Sequence, residues 1–435
     1  MERDLDLWVP AIRKGRTTRR GLFRGALVLV GGLSVALLDA CAPAPAQPTP
    51  APTKPAAPAQ PTPAPPSASP TAAPAAKASP APTGVVKIGA VAPLTGSIAK
   101  MGQEVANSVK LAAEHWNAKG GVLGSRIEVV EGDDQGNPQQ GVTVAEKLAA
   151  DPAILGVVYG ITSVTCIPAS EVFEKVDLVM VSPGCTNVRV TDRRLKVVNR
   201  TCARDDSQAP AGAIFMFEDL KMKKVAVLDD GTAGPRGAAD EFEKKAKSLG
   251  MAVTRAVIKA GDKDFRAILG TLPKDINGIY ASIWAPEAAL IAKQRKEVGL
   301  NVPMVGPDGQ FEPIDYIQAA GGAAEGNYVS FVGPDVRQIP EAAQYVKDFE
   351  AKYGAFASYG PLAYEAANII IDGIRRAGKA DRAAVRDAVR NTKDFKGILG
   401  VPITFDDKGD VAGGLIWMYQ VKGDKFVQVK VIKTT

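Results

Sequence analysis

The sequence has very little histidine, little cysteine and few aromatic residues. Of its 435 residues one is a histidine, His115, four are cysteines and 6% are aromatic. A single histidine argues against a metal site built from several histidines and against a Ser-His-Asp catalytic arrangement. We therefore expect no metal, no cofactor and no enzymatic activity, and we expect His115, which falls within a predicted helix, to be structural.

The excess of positive charge is also small. The net charge is +6, and the first 40 residues carry seven basic and four acidic residues, which leaves +3 for the rest of the chain. No basic stripe with interleaved aromatic residues is present, so a nucleic-acid partner is not expected. The length exceeds the size at which a single core keeps growing and favours two domains.

Residues 1–41 combine the features of an export signal. The segment Thr18-Arg19-Arg20-Gly21-Leu22-Phe23-Arg24 resembles a twin-arginine signal, and an apolar run follows at residues 26–38 that is short for a membrane span. Leu38-Asp39-Ala40-Cys41 resembles a lipobox, although Asp39 is unusual there. We expect an exported protein whose lipidated Cys41 anchors it to the outer face of the cytoplasmic membrane. A cleavable signal, a single-span anchor and the Sec route remain alternatives.

Residues 42–83 consist almost entirely of Ala, Pro, Thr, Ser and Gln. Such a composition cannot bury a core and favours an extended polyproline conformation. At ~3.1 Å per residue it would span on the order of 130 Å. We interpret it as a tether behind the anchor, with a proline-rich recognition segment as the alternative.

From Gly84 onward short apolar strands alternate with helices of ten or more residues, the pattern of parallel sheets with right-handed crossovers. Two such sets meet near residues 197–206, so the predicted fold class is α/β, with two Rossmann-like lobes joined by a hinge. Lobe I is predicted at 84–205, completed by about 330–414, and lobe II at 206–329, completed by about 415–435. A strand is also predicted at 403–405.

The stretch 157–186 is the best candidate for a binding site. Two buried strands each end in a turn with a hydroxyl residue, Ser163 in the first and Thr186 in the second, and a short helix is predicted to begin near Pro168. Ligands of open α/β sheets bind at the carboxyl ends of the strands, where a helix N-terminus favours an anion. Plain turn chemistry is the competing explanation for both residues.

Six segments, in order, carry a resemblance to a known family. They are Lys87-Ile88-Gly89 with Pro93-Leu94-Thr95-Gly96, Asn117-Ala118-Lys119-Gly120-Gly121-Val122, Asp133-Asp134 with Asn137-Pro138, Pro168-Ala169-Ser170, Gly261-Asp262-Lys263-Asp264-Phe265, and Gly306-Pro307-Asp308-Gly309. From Val85 to its end the chain resembles the type I periplasmic binding proteins for branched-chain amino acids that serve ABC importers. The resemblance implies one small solute held between two closing lobes.

The resemblance also implies roles for individual residues. Ser163, Gly184 and Thr186 would bind the ligand carboxylate, and Asp308 would bind its ammonium group. Trp284 and Met101 would line the side-chain end of the cleft. Two departures are present: Ala233 stands where many members carry a tyrosine that clamps the ligand, and Gln135 and Thr162 stand near a cysteine pair of some members.

The exported part keeps Cys166, Cys185 and Cys202 besides Cys41. In an oxidising compartment a disulfide is plausible, and we predict the pair Cys185–Cys202, with Cys166 left as a buried thiol.

The sequence thus predicts a monomeric binding protein that presents an amino acid or related solute to the permease and ATPase subunits of a transporter. A sensor of the same fold, and binding of amides, urea or aromatic acids, are the alternatives. A hydrolase with Ser163 as nucleophile is disfavoured because no base is available for it.

Overall fold

The computed structural model describes residues 84–412 and 414–434, which belong to one compact unit spanning Ala75–Thr435. The predicted export signal, Cys41 and the tether lie outside the described residues. No helix within the described part of the chain is long and apolar enough to cross a membrane.

The first half of the chain builds a sheet of five parallel strands in the order β2-β1-β3-β4-β5. All six residues of its central strand β3 are buried, as expected for a strand that is covered on both faces. The elements are β1 (Gly84–Ala92), α1 (Ala99–Asn117), β2 (Ser125–Asp133), α2 (Pro138–Ala150), β3 (Ile154–Tyr159), α3 (Ser163–Glu174), β4 (Val179–Ser182), α4 (Arg189–Asp192) and β5 (Val198–Arg200).

The second sheet has seven strands in the order β12-β11-β10-β9-β8-β6-β7. Strands β6 to β10 run parallel, and β11 and β12 join β10 as an antiparallel hairpin. Its elements and the remaining helices are α5 (Asp205–Ile214), β6 (Lys224–Asp229), α6 (Ala233–Ser248), β7 (Ala252–Val257), α7 (Arg266–Gly270), β8 (Gly278–Ser282), α8 (Ala285–Glu297), β9 (Met304–Gly306), β10 (Tyr328–Phe331), α9 (Ala343–Tyr353), α10 (Gly360–Ala377), α11 (Arg382–Arg390), β11 (Gly414–Lys422) and β12 (Lys425–Thr434).

The chain passes between the two lobes three times, and we call the connecting segments the first, second and third crossover (residues 201–204, 332–342 and 406–412). Helices α9 to α11 return to the first lobe, where α10 packs on α1, β3 and β4. The last two strands then extend the second sheet. Each lobe is therefore completed by residues far along the chain, and the lobes are linked by several short segments rather than one.

Three local expectations were wrong. Helix α3 begins at Ser163 and contains Pro168 in its interior; the turn at Gly160 (φ +59°) ends β3 and starts the helix early. The strand predicted at 403–405 consists only of isolated bridges, Phe395–Ile403 and Phe405–Val411. The short strands β5 and β10 were missed because segments of three or four residues that include polar ones carry too little periodicity to identify a strand.

Candidate functional site

A cavity of about 270 Å³ lies between the lobes. Its volume is near the lower end of ligand pockets, which suits a small solute. Five of the six residues predicted from the sequence line it, namely Ser163, Gly184, Thr186, Trp284 and Asp308.

Met101, the sixth, does not line the cavity. Its side chain is 2% exposed and is buried in the apolar core together with Val105 and Val109 of the same helix. The residue before α1, Ile98, is the one that lines the cavity. The expectation for Met101 is wrong because a resemblance gives a position along α1 but does not show which face of the helix points at the core.

The N-terminus of α3 provides hydrogen-bond donors on the lobe I side. Thr162 precedes the helix but does not cap it; its hydroxyl bonds to that of Thr165 at 2.8 Å. Among the described residues, no acceptor is found for the backbone N–H groups of Ser163 and Val164, which both line the cavity. The Ser163 hydroxyl oxygen accepts the N–H of Asn187 at 3.2 Å, so its own proton remains free to donate. These donors and the helix dipole favour an anionic ligand group.

The turn after β4 lies beside this helix end. The Ser182 hydroxyl accepts the backbone N–H of Cys185 at 2.9 Å and so fixes the turn. A Cβ atom at Gly184 would lie 2.8 Å from the ring of Tyr359, so glycine is needed for this close approach. Tyr359 immediately precedes α10 and belongs to lobe I. It was not identified from the sequence.

Asp308 lies on the lobe II side, in the turn after β9, and is 5% exposed. Burial raises the pKa of its carboxyl to about 6, although hydrogen bonds from Tyr359 and Gln208 oppose the shift. The Tyr359 hydroxyl donates to Asp308 Oδ2 at 2.7 Å and joins the two lobes. Trp284 borders the same turn, since a Cβ atom at Gly309 would lie 3.1 Å from its indole ring.

A second buried carboxylate, Asp205, was also missed. It is the first residue of α5, is 2% exposed and lines the cavity. Burial raises its pKa to about 7; the Thr186 hydroxyl opposes this shift, and the nearby Asp308 adds to it. Within the described part of the chain its Oδ2 atom has no hydrogen-bond partner. Its sequence signal, an acid in the first turn of a helix, is too common to indicate a ligand.

At the start of α6, small residues stand where the resembling family carries a clamping tyrosine. Ala233 does not line the cavity, but its carbonyl accepts the side-chain amide of Asn187 at 2.9 Å, which is a second bond between the lobes. Gly234 and Pro235, which follow it, do line the cavity. The start of α6 therefore approaches the ligand space with backbone and proline rather than with a ring.

The predicted disulfide between Cys185 and Cys202 is wrong, because Cys166, Cys185 and Cys202 are all free, buried thiols. Cys185 belongs to the apolar cluster between the first sheet and α2 and α3, together with Cys166. Cys202 belongs to the larger cluster that contains α1 and α10. Burial raises the pKa of the Cys185 thiol, and a hydrogen bond with Cys166 adds to the shift. Sequence spacing could not show on which side of the sheet each thiol lies.

The described residues that line the cleft include no histidine. Ser163 has no histidine beside it, since the ring of His115 bonds instead to Tyr364 at 2.6 Å and to Asp348 at 3.0 Å. No group of three or more His, Cys, Asp or Glu side chains in the described segments could hold a metal ion. What the cleft offers is a donor-rich lobe I wall and an acidic lobe II wall.

Two α/β lobes around a small cavity with these walls define a two-lobed ligand-binding protein. Residues 85–425 match the family described as periplasmic binding protein. A Leu/Ile/Val-binding protein homolog 2 of Brucella abortus is 36% identical over 327 residues, which are 75% of this chain and 87% of that protein. The chain therefore belongs to the periplasmic binding protein family.

Two solved structures have the same fold. The leucine-binding protein LivK of Thermotoga maritima has a TM-score of 0.75 and 29% identity, and the match covers 80% of this chain and 98% of that one. LivJ of Streptococcus pneumoniae, in complex with isoleucine, has a TM-score of 0.75 and 25% identity, and the match covers 80% of this chain and 100% of that one.

Proposed function

We propose that this chain is the solute-binding component of an ABC importer and that it binds an α-amino acid of the branched-chain class between its lobes. The observation that carries this proposal is the division of the cleft. Ser163 and Thr186 lie with the N-terminus of α3 on one wall, Asp308 lies on the other, and Asp205 lies between them, beside Thr186. The names of the relatives and of the LivK and LivJ structures point to the same ligand class.

The two walls match the two charges of an amino acid. A ligand carboxylate at the N-terminus of α3 would receive backbone and hydroxyl donors together with the positive end of the helix dipole. An ammonium group between Asp205 and Asp308 would offset two buried carboxylates that form no ion pair with any described residue, and an unpaired buried charge is costly. Apolar side chains complete the cavity and suit an aliphatic ligand side chain; they include Ile98, Ile161, Ile283 and Trp284.

Binding would be coupled to closure of the lobes. A ligand whose carboxylate rests on lobe I and whose ammonium rests on lobe II makes both sets of contacts only when the lobes are together, so it shifts the population toward the closed state. The bonds from Tyr359 to Asp308 and from Asn187 to Ala233 cross the same gap and would add to the stability of that state. No chemical step is required.

The predicted lipidation of Cys41 and the tether would hold this body at the outer face of the cytoplasmic membrane, as a monomer, near its permease and ATPase partners. The wild-type protein is expected to incorporate a labelled fatty acid in cells, and a Cys41→Ser variant is expected not to. A wild-type protein without label, or equal labelling of both proteins, would contradict lipidation of Cys41.

The proposal is tested by thermal unfolding of the full chain with L-leucine, L-isoleucine and L-valine, and with their 2-hydroxy acids, amides and urea. A ligand at ~100 times its dissociation constant should stabilise the fold by about 2.7 kcal/mol. We expect stabilisation by at least one of the three amino acids and not by its 2-hydroxy acid. Stabilisation only by ligands without an ammonium group would overturn the assignment of Asp308.

A further inference from the structure

Arg200, at the end of β5, carries a buried charge near the cleft that is bonded to four acceptors. Its side chain is 0% exposed and does not line the cavity. Its guanidinium donates to Asp410 Oδ1 at 2.5 Å, to the Thr191 hydroxyl at 2.5 Å, and to the backbone carbonyls of Cys185 at 2.8 Å and Asn187 at 3.1 Å. Such a set of bonds needs the rigid, planar fork of donors that arginine has and lysine lacks.

The two carbonyls bound by Arg200 lie on either side of Thr186. A trans peptide directs the carbonyl of Cys185 and the N–H of Thr186 to opposite sides of the chain. Because Arg200 holds that carbonyl, the Thr186 N–H points away from the arginine, and Thr186 itself lines the cavity. A hydrogen bond from a charged group to the carbonyl also polarises the peptide and strengthens its N–H as a donor.

Asp410 connects this arrangement to the crossovers. Its carboxylate binds Arg200 through Oδ1, and through Oδ2 it accepts Arg204 at 2.8 Å and the Thr191 hydroxyl at 3.0 Å. Arg204 belongs to the first crossover and Asp410 to the third. The backbone N–H of Arg200 also bonds to the carbonyl of Gly409 at 2.9 Å. One buried carboxylate thus ties two hinge segments to the arginine that holds the turn at Thr186.

We propose that Arg200 and Asp410 are positioning residues that aim the Thr186 N–H at the ligand carboxylate and link that subsite to the hinge. This inference rests on the proposed function, because it requires a ligand with a carboxylate. Neither residue would touch the ligand. Their loss would weaken binding of the carboxylate end and leave the ammonium end on Asp308 as it is.

The test compares L-leucine with L-leucinamide, which keeps the ammonium group and side chain but places no negative charge at the turn. In calorimetric titrations of the full chain, Asp410→Asn should raise the dissociation constant of leucine at least tenfold and that of leucinamide less than threefold. Asp407→Asn is the matched control, since Asp407 lies in the same segment, is 69% exposed at its side chain and, among the described residues, forms an ion pair only with the exposed Arg194. It should change neither constant.

Two further variants keep the test decisive if Asp410→Asn does not fold. Thr191→Val removes a hydroxyl that bonds both Arg200 and Asp410 and should weaken leucine binding about threefold, again with little effect on leucinamide. Arg200→Lys keeps the charge but should still weaken leucine binding, because one ammonium group cannot hold both carbonyls.

Equal losses for the two ligands in these variants would show a general structural role and overturn the inference, as would unchanged leucine binding. A wild-type chain that binds no branched-chain amino acid would overturn the proposed function, and this inference with it.

Discussion

The two walls of the cleft carry different chemical groups. Lobe I presents backbone N–H groups and hydroxyls at a helix end, with Ser163 and Thr186 as its side chains. Lobe II presents the carboxylate of Asp308, and that of Asp205, at the start of α5, lies beside Thr186; burial raises the pKa values of both. The first wall holds its donors at any ordinary pH, whereas the second changes charge near neutrality. The lobes should therefore contribute separately to affinity, one as a fixed anion site and the other as a titratable cation site.

The largest effect is expected at the acidic wall. Asp308→Ala should weaken binding of leucine about thirtyfold or more, because loss of one partner of a buried charge pair typically costs about 2–5 kcal/mol. Titration calorimetry with leucine and with its 2-hydroxy acid measures this. Asp264→Ala, at an exposed lobe II site, is the control. An equal loss for both ligands would mean that Asp308 does not recognise the ammonium group.

A smaller loss is expected at the donor wall. Ser163→Ala removes one hydroxyl while the backbone donors of α3 stay in place, so leucine binding should weaken about tenfold, in keeping with roughly 1.5 kcal/mol for a hydrogen bond to a charged group. The same titration with leucinamide should show a smaller change. Thr143→Ala, at an exposed site on α2, serves as control. Unchanged leucine binding would place the ligand carboxylate elsewhere.

A change of pH should distinguish the contributions of the two walls to affinity without any mutation. The pKa of Asp205 is raised to about 7 and that of Asp308 to about 6, so leucine affinity should fall as the pH drops through 7 and then 6, by up to about tenfold per pH unit for each carboxylate. Titrations between pH 5 and pH 8 measure this, and Asp308→Asn should flatten the profile.

In the ligand-free protein, the contribution of these two carboxyl groups to stability should change with pH in the opposite sense to the affinity for leucine. The folded pKa values of both groups lie above the unfolded ones, so the folded state binds protons that the unfolded chain releases. Their contribution to stability is present at low pH and is lost as the pH rises through about 6 and 7. Thermal unfolding without ligand over the same range checks the sign; a parallel fall of affinity and of this stability contribution on acidification would contradict the assignment.

The smallest effect is expected for Tyr359→Phe, which removes the hydroxyl that reaches from lobe I to Asp308. The loss of one hydrogen bond should weaken leucine binding about fivefold, or roughly 1 kcal/mol. It should also raise the pKa of Asp308, because that bond stabilises the ionised carboxylate. A shift of the pH profile to higher pH is therefore expected; an unshifted profile would show that Tyr359 does not act on Asp308.

The fold was predictable because its signals are local and repeated. Buried strands such as β3 and β8 and the helices between them identify parallel sheets, and the carboxyl ends of parallel strands bring Ser163 and Thr186 together. The role of Met101 was not predictable in this way, since it depends on the rotation of α1 about its axis. The predicted disulfide between Cys185 and Cys202 was wrong for a similar reason, because sequence spacing does not show on which face of a sheet a residue lies.

The residues that were missed owe their place to contacts across long sequence separations. Asp205 matters because a crossover sets it beside Thr186, and Tyr359 because α10 returns to the first lobe and brings the ring over Gly184. Arg200 and Asp410 are 210 positions apart. No period or motif marks such pairs, since each residue taken alone resembles an ordinary charged or aromatic residue.

The late return of the chain to both lobes has a consequence for biosynthesis. The first lobe needs α9 to α11, and the second sheet needs β11 and β12, which occupy residues 414–434. A nascent chain therefore cannot finish either lobe in the order in which it is made. The contacts of high sequence separation must form after nearly all of the chain has left the ribosome, so folding should be slow and largely post-translational.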